Sequence, residues 1–241
     1  MKEASPEARA FAGMAADLFN LALVGLLVFA FIDRYAPAQD LPWKPLHVDE
    51  PLGLATTAKL ERTVVEPAQC LDFLRRETVA FAPVPDRVQG GFCTVEAAGR
   101  VGPQPMRLSP AAPVMTCRLT TALAIWTRQS VSPAARALLG SDVVQIDHYG
   151  TYACRRVYGR AEGRVSQHAH AEAVDIAGFR LADGRRITVL KDWRGAGPKA
   201  AFLHRVRNEG CRLFRVALSP DYNAAHANHL HFDMSPYRLC R

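Results

Sequence analysis

No two cysteines of this 241-residue chain stand in a Cys-x-x-Cys spacing, which excludes the zinc knuckles and ribbons built on such pairs. No glycine-rich phosphate loop and no βαβ alternation are visible, so the common nucleotide-binding folds are excluded as well. Internal repeats and low-complexity blocks are also lacking, and with them the solenoid and tail-like classes. Lys and Arg (30) outnumber Asp and Glu (23), giving a net charge of +7. These basic residues are scattered, with no dense run and no interleaved aromatics. Basic balance alone speaks to association and not to fold, so no nucleic-acid partner is expected.

What is present is a globular composition, 49% apolar and 22% charged, long enough for one sizeable domain plus extras. From Phe11 to Ile32 the chain is apolar apart from Asp17 and Asn20. Spanning a bilayer takes about 20 apolar residues, so residues 11–32 read as a transmembrane signal anchor behind a tail at 1–10. The alternative is the core of a cleaved signal peptide, for which Ala36-Pro37-Ala38 is a poor cleavage site. All six cysteines (Cys70, Cys93, Cys117, Cys154, Cys211 and Cys240) follow this segment. An even number beyond a membrane segment predicts disulfides and a domain outside the cytoplasm, although six cysteines allow 15 connectivities.

Pro37, Pro42, Pro45 and Pro51 punctuate a stretch without periodicity, so residues 33–62 are expected to be a semi-extended linker. At ~3.3–3.6 Å per residue such a tether would reach on the order of 100 Å. The domain proper is placed at 63–241. Helices are predicted over Glu66–Glu77, Cys117–Arg128 and Pro198–Phe214, with a short one from Ser132-Pro133. Strands are predicted over Gly91–Val101, Asp142–His148 and His229–Met234, and a hairpin joins Ala173–Leu181 to Arg186–Leu190 around Asp183-Gly184. Short neighbouring strands mixed with helices argue for an α+β domain with a small antiparallel sheet and flanking helices.

The chemistry lies in two strands. Side chains alternate across a strand with period two. Asp175 therefore shares a face with Ala173 and Ala177, while Val174 and Ile176 point the other way. In His229-Leu230-His231-Phe232-Asp233 both histidines and Asp233 share one face, with Leu230 and Phe232 opposite. An unpaired buried carboxylate is costly, so Asp175 needs a cation, donors or a metal. His168, Asp175 and one histidine of the pair supply two nitrogens and one oxygen, a donor set that suits zinc. The other histidine is then free to act as a general base. A hydrogen-bonded polar cluster without metal is the competing reading.

These residues also resemble a family. Ser166-x-His168, Ala173-x-Asp175 and His229-x-His231 are similar to the zinc D-Ala-D-Ala peptidase and murein endopeptidase group, with its hedgehog and lysostaphin relatives. Closer still, "GTYACRRVYGR", "AVDIAGFRLADGRRITVLKDW" and "PDYNAAHANHLHFD" resemble the bacterial extensin-like C-terminal family. The name is a label only, since 16 prolines in 241 residues are nothing like an extensin repeat. The resemblance implies a D-Ala-D-Ala peptidase or hedgehog-like fold with His168, Asp175 and His231 as zinc ligands and His229 as catalytic base. It also implies an arginine gripping the substrate or the developing oxyanion, for which Arg155 is the candidate and Arg156 the substitute. Related enzymes usually carry glycine where this chain has Ala171. Ser166, Asp233, His148 and Tyr152 are candidates to support the ligands or line the cleft, while His170 and His226 are assigned to the rim. The implied protein is an inner-membrane, single-pass zinc peptidase whose periplasmic domain acts on peptidoglycan peptides. The alternative is a non-catalytic, zinc-containing envelope-binding module.

Overall fold

The apolar N-terminal run folds as one helix, α1 (Pro6–Tyr35). The computed structural model describes residues 6–103 and 105–241. Of the expected tail, residues 1–5 lie outside the described residues, and Pro6 already begins the helix. Its segment Gly13–Tyr35 is long and apolar enough to cross a membrane, and none of its apolar span is buried inside the rest of the chain; a signal sequence shares these properties.

Residues 33–62 are not the free tether that their prolines suggest. Leu41, Leu46 and Val48 are buried, and the stretch continues into α2 (Thr56–Thr63), whose Leu60 joins the main core. Lys59 is 1% exposed; its ammonium donates to the carbonyls of Ala38 (2.6 Å) and Pro45 (3.1 Å) and lies 3.6 Å from Glu50. Sparse apolar residues without a period, fastened by one buried cation, left no pattern for sequence reading to detect. The segment is a strap laid over the domain. Trp43 ties it back to α1, its indole donating to Asp33 (2.7 Å) while its ring lies 5.1 Å from that of Phe29.

Beyond α3 (Pro67–Arg76) come two minor sheets. One pairs β1 (Phe81–Pro83), β4 (Ala98–Val101) and β6 (Val114–Thr116), and the other is the hairpin β2 (Arg87–Gln89) and β3 (Cys93–Val95). The main sheet contains β5 (Arg107–Ser109), β7 (Val143–Gly150), β8 (Ala173–Leu181), β9 (Arg186–Thr188), β10 (Val216–Leu218), β11 (Leu230–Asp233) and β12 (Leu239–Cys240). Its order is β12-β10-β11-β8-β7-β5, with β9 paired to β8.

The mixed α+β class matches the expectation; a small antiparallel sheet does not. The main sheet has seven strands, and β5–β7 and β10–β12 pair in parallel. Parallel neighbours need a long crossover. Between β5 and β7 that crossover is α4 (Cys117–Trp126) and α5 (Ser132–Leu139), joined by a π turn over Thr127–Val131. Strand β12 is brought beside β10 by the disulfide between Cys240 and Cys211 of α7 (Pro198–Leu213). The short α6 (Val189–Asp192) follows β9.

Local chemistry sets these boundaries. Thr116 caps α4 by accepting from the Leu119 N–H, Gly140 closes α5 at φ 66°, and Pro198 occupies the first turn of α7. The helices cover one face of the sheet. Val174, Ile176, Leu230 and Phe232 point into a core with Trp126, Phe179, Phe202 and Phe214. There Phe232 stacks on Phe214 with centroids 4.6 Å apart and meets the edge of Trp126 at 5.2 Å. Gly210 of α7 is required by close approach, since a Cβ there would sit 2.8 Å from the Phe232 ring. With one face buried, register is fixed by the side chains that must point inward. The opposite face carries the histidines.

Candidate metal centre

Strands β8 and β11 pair antiparallel with His231 directly opposite Asp175. This register turns two period-two patterns into one cluster. Asp175 Oδ1 lies 2.8 Å from His231 Nδ1 and 3.4 Å from His229 Nε2, and Oδ2 lies 3.2 Å from His168 Nε2. His168 comes from the 3-10 turn Gln167–His170, capped by Ser166, whose hydroxyl accepts from the His168 N–H. Ala171 closes that turn at φ 53°, the left-handed conformation for which glycine is better suited.

The electrostatics follow from this crowding. Burial alone would raise the Asp175 pKa, but His168 and His231 beside it outweigh burial and hold the carboxyl well below its usual range. Burial disfavours charge on His231, yet Asp175 and Asp233 (Oδ2 3.0 Å from Nε2) push its pKa up to about 9. Asp233 is itself fixed by the Ser235 N–H (2.8 Å). His229 is pushed down by burial and by the neighbouring His231, His168 and Arg155 charges, although Asp175 opposes this. Its Nδ1 donates to the Asn228 side-chain oxygen (2.9 Å), which leaves the Nε2 lone pair facing the cluster.

A metal ion fits these residues. His168, Asp175 and His231 each offer a ligand atom, all within 4.8 Å of one another. His168 Nε2 is buried with no hydrogen-bond partner, because its approach to Asp175 is at ion-pair distance without hydrogen-bond direction. A buried nitrogen of this kind is costly unless something accepts its lone pair.

Sequence reading missed one member. His226, assigned to the rim, is 8% exposed and forms a second group of metal-competent residues with His229 and His231. Burial, then the His229 and His231 charges, push its pKa down to about 4. Its Nδ1 bonds the Asn223 side-chain oxygen (2.7 Å) on the short 3-10 turn Ala224–His226. The signal available was the spacing His226-x-x-His229-x-His231.

The other candidates divide. Arg155 lines the histidine cavity of about 360 Å³, as do Ser166 and Asp233. Arg156 is committed elsewhere, stacked over Phe92 at 4.8 Å and bonded to the Gly163 carbonyl. Tyr152 does not line the cleft. Its hydroxyl donates to Gln89 (2.7 Å), Arg87 lies over its ring, and it packs against Val95, Ala98 and Ala171. His148 faces a different hollow, its Nε2 donating to the Pro110 carbonyl (2.8 Å), and burial pushes its pKa down.

Fold and site together define a mixed α+β domain, stapled by disulfides and carrying a buried histidine–aspartate cluster in a cleft. Residues 68–241 match the model of the extensin-like protein C-terminus, and the chain belongs to that family. No curated protein and no solved structure matches the chain.

Proposed function

We propose that this chain is a membrane-anchored zinc peptidase acting on peptidoglycan stem peptides outside the cytoplasm. The observation that carries the reading is the convergence of His168, Asp175 and His231 with the unbonded Nε2 of His229 beside them. The resemblance of these motifs to the D-Ala-D-Ala peptidases and murein endopeptidases supplies the substrate class. Export is supported by three disulfides, Cys70–Cys117, Cys93–Cys154 and Cys211–Cys240, and by α1 as a candidate membrane span.

Zinc held by His168, Asp175 and His231 would acidify a water and polarise the scissile carbonyl. The remaining work falls to the chain's own groups. His229 Nε2 accepts the proton of the attacking water and delivers it to the leaving amine. Neutral His229 is favoured by its lowered pKa, so the acceptor form is present at pH 7. Arg155, on the cavity wall next to Cys154, meets the developing oxyanion or a substrate carboxylate. Asp233 holds the His231 ring from behind through Nε2, leaving Nδ1 for the metal.

Elemental analysis of the full-length protein should find close to one zinc per chain, and His168→Ala or Asp175→Ala should each strip it. Absence of metal, with no uptake of added zinc, would overturn the reading. The group His226, His229 and His231 favours a second reading, in which His229 is a ligand and no free base remains. His229→Ala separates the two: retained zinc with lost hydrolysis supports the base, and lost zinc supports the ligand.

A further inference from the structure

The histidine cavity has a neighbour. A second hollow of about 350 Å³, near-equal in volume, is lined by Asp147, Tyr149, Ala177, Arg180, Arg186 and Lys191 among others. Strand β8 joins the two: Asp175 lines the first and Ala177 the second, and residues two apart on a strand share a face. Tyr149 marks the junction, its ring meeting His229 edge-on at 6.0 Å. At ~3.3 Å per residue, Asp175 to Arg180 spans roughly 16 Å, the length of an extended peptide of about five residues.

The second hollow is built from repelling cations. Arg180 and Arg186 stand directly opposite each other in the β8–β9 register, where like charges are destabilising. Asp147 is the one carboxylate between them, 3.6 Å from Arg180 and 2.9 Å from Arg186. Both guanidinium groups remain about half exposed, and Lys191 adds a third cation to the rim. One carboxylate against three cations leaves the hollow positive.

We propose that this hollow is a second substrate subsite, which takes the carboxylate of a peptide arm continuing beyond the scissile bond. This rests on the peptidase reading above and deepens it. A cleft with a positively charged arm beyond the metal residues accepts chain on both sides of the cut, so the substrate is a cross-linked pair of stem peptides and the enzyme an endopeptidase. The reaction is hydrolysis of the cross-linking amide: its C–N bond breaks, the acyl carbon gains the water's OH, and the amine leaves with the proton.

The test uses full-length protein in detergent, with His229→Ala to prevent turnover. Calorimetry compares a cross-linked pair of stem tetrapeptides with a single stem pentapeptide. The pair should bind on the order of tenfold more tightly, from charge-assisted hydrogen bonds to the second hollow. Arg180→Gln with Arg186→Gln should reduce that preference to near parity, and Arg180→Lys with Arg186→Lys should restore part of it. Equal binding of the two peptides, or a preference indifferent to both double substitutions, would overturn the subsite. If the zinc-loaded unmutated protein cleaves the single peptide while that indifference holds, the peptidase reading stands and the subsite falls. Arginine-dependent binding of the pair with no cleavage does the reverse.

Discussion

His231 lies between two carboxylates, and this placement sets the proton balance of the cluster. Its pKa is raised from the ordinary 6.5 to about 9 in the metal-free protein. That raised value stabilises the metal-free fold below pH 6.5 and is lost as pH rises through 9. The same proton must leave before a metal binds at Nδ1. Zinc affinity measured by chelator competition should therefore rise between pH 6.5 and 9, approaching tenfold per pH unit, while the thermal stability of the metal-free protein falls. An affinity flat over this window would show that metal binding displaces no such proton from His231. Turnover should drop by roughly 10²–10⁴ in His229→Ala. His226→Ala should keep its zinc, because that ring is outside the proposed ligand set. Asp175, His229, His231 and Asp233 were legible because alternation along a strand states which side chains share a face. His226 was not: it sits on an irregular turn, where neither a two- nor a four-residue period applies. Tyr152 was misplaced because the chain turns out of β7 at Gly150, whose φ of 143° is a glycine conformation.

Elements were read well where they were long. Helices α3, α4 and α7 and the β8–β9 hairpin fall within a few residues of expectation. The predicted strand over Gly91–Val101 divides into β3 and β4 around Ala97, whose φ is 47°. Three-residue strands such as β5 show no alternation, and their parallel pairing is decided by crossovers that no local pattern encodes. The disulfides supply part of what pattern could not. Cys93–Cys154 ties the minor hairpin to the segment carrying Arg155. Replacing both cysteines with serine should cost about 2–4 kcal/mol in denaturant unfolding. Zinc affinity should weaken less than kcat/KM: the Ala153 N–H bonds the His168 carbonyl (3.0 Å), but the His168 turn keeps its Ser166 cap, whereas Arg155 loses its fixed position. Ala171 illustrates how packing overrides propensity. Its methyl is fully buried with Val95 and Ala98, which offsets the strain of its left-handed φ. Ala171→Gly should therefore change stability by less than about 1 kcal/mol.

At the scale of the whole molecule, the domain and the candidate span are joined by a fastened segment, whose packing no composition announces. Lys59→Ala would leave the Pro45 carbonyl without the lysine donor and the Ala38 carbonyl with the Leu41 N–H alone, at a cost of roughly 1–3 kcal/mol. Limited proteolysis should then cut within residues 36–55 several-fold faster than in the unmutated protein. Unchanged cleavage would mean that the strap is held by its apolar contacts alone. The full-length protein should fractionate with membranes, and a soluble product starting near Gln39 would instead identify α1 as a cleaved signal. With α1 in a bilayer, a strap fixed at Trp43 and Lys59 abolishes the leash of some thirty residues that the prolines imply. A free leash of that length would sweep a hemisphere on the order of 100 Å in radius. A fastened one holds the cleft at a single height, so what the protein meets is decided by what comes to the membrane surface.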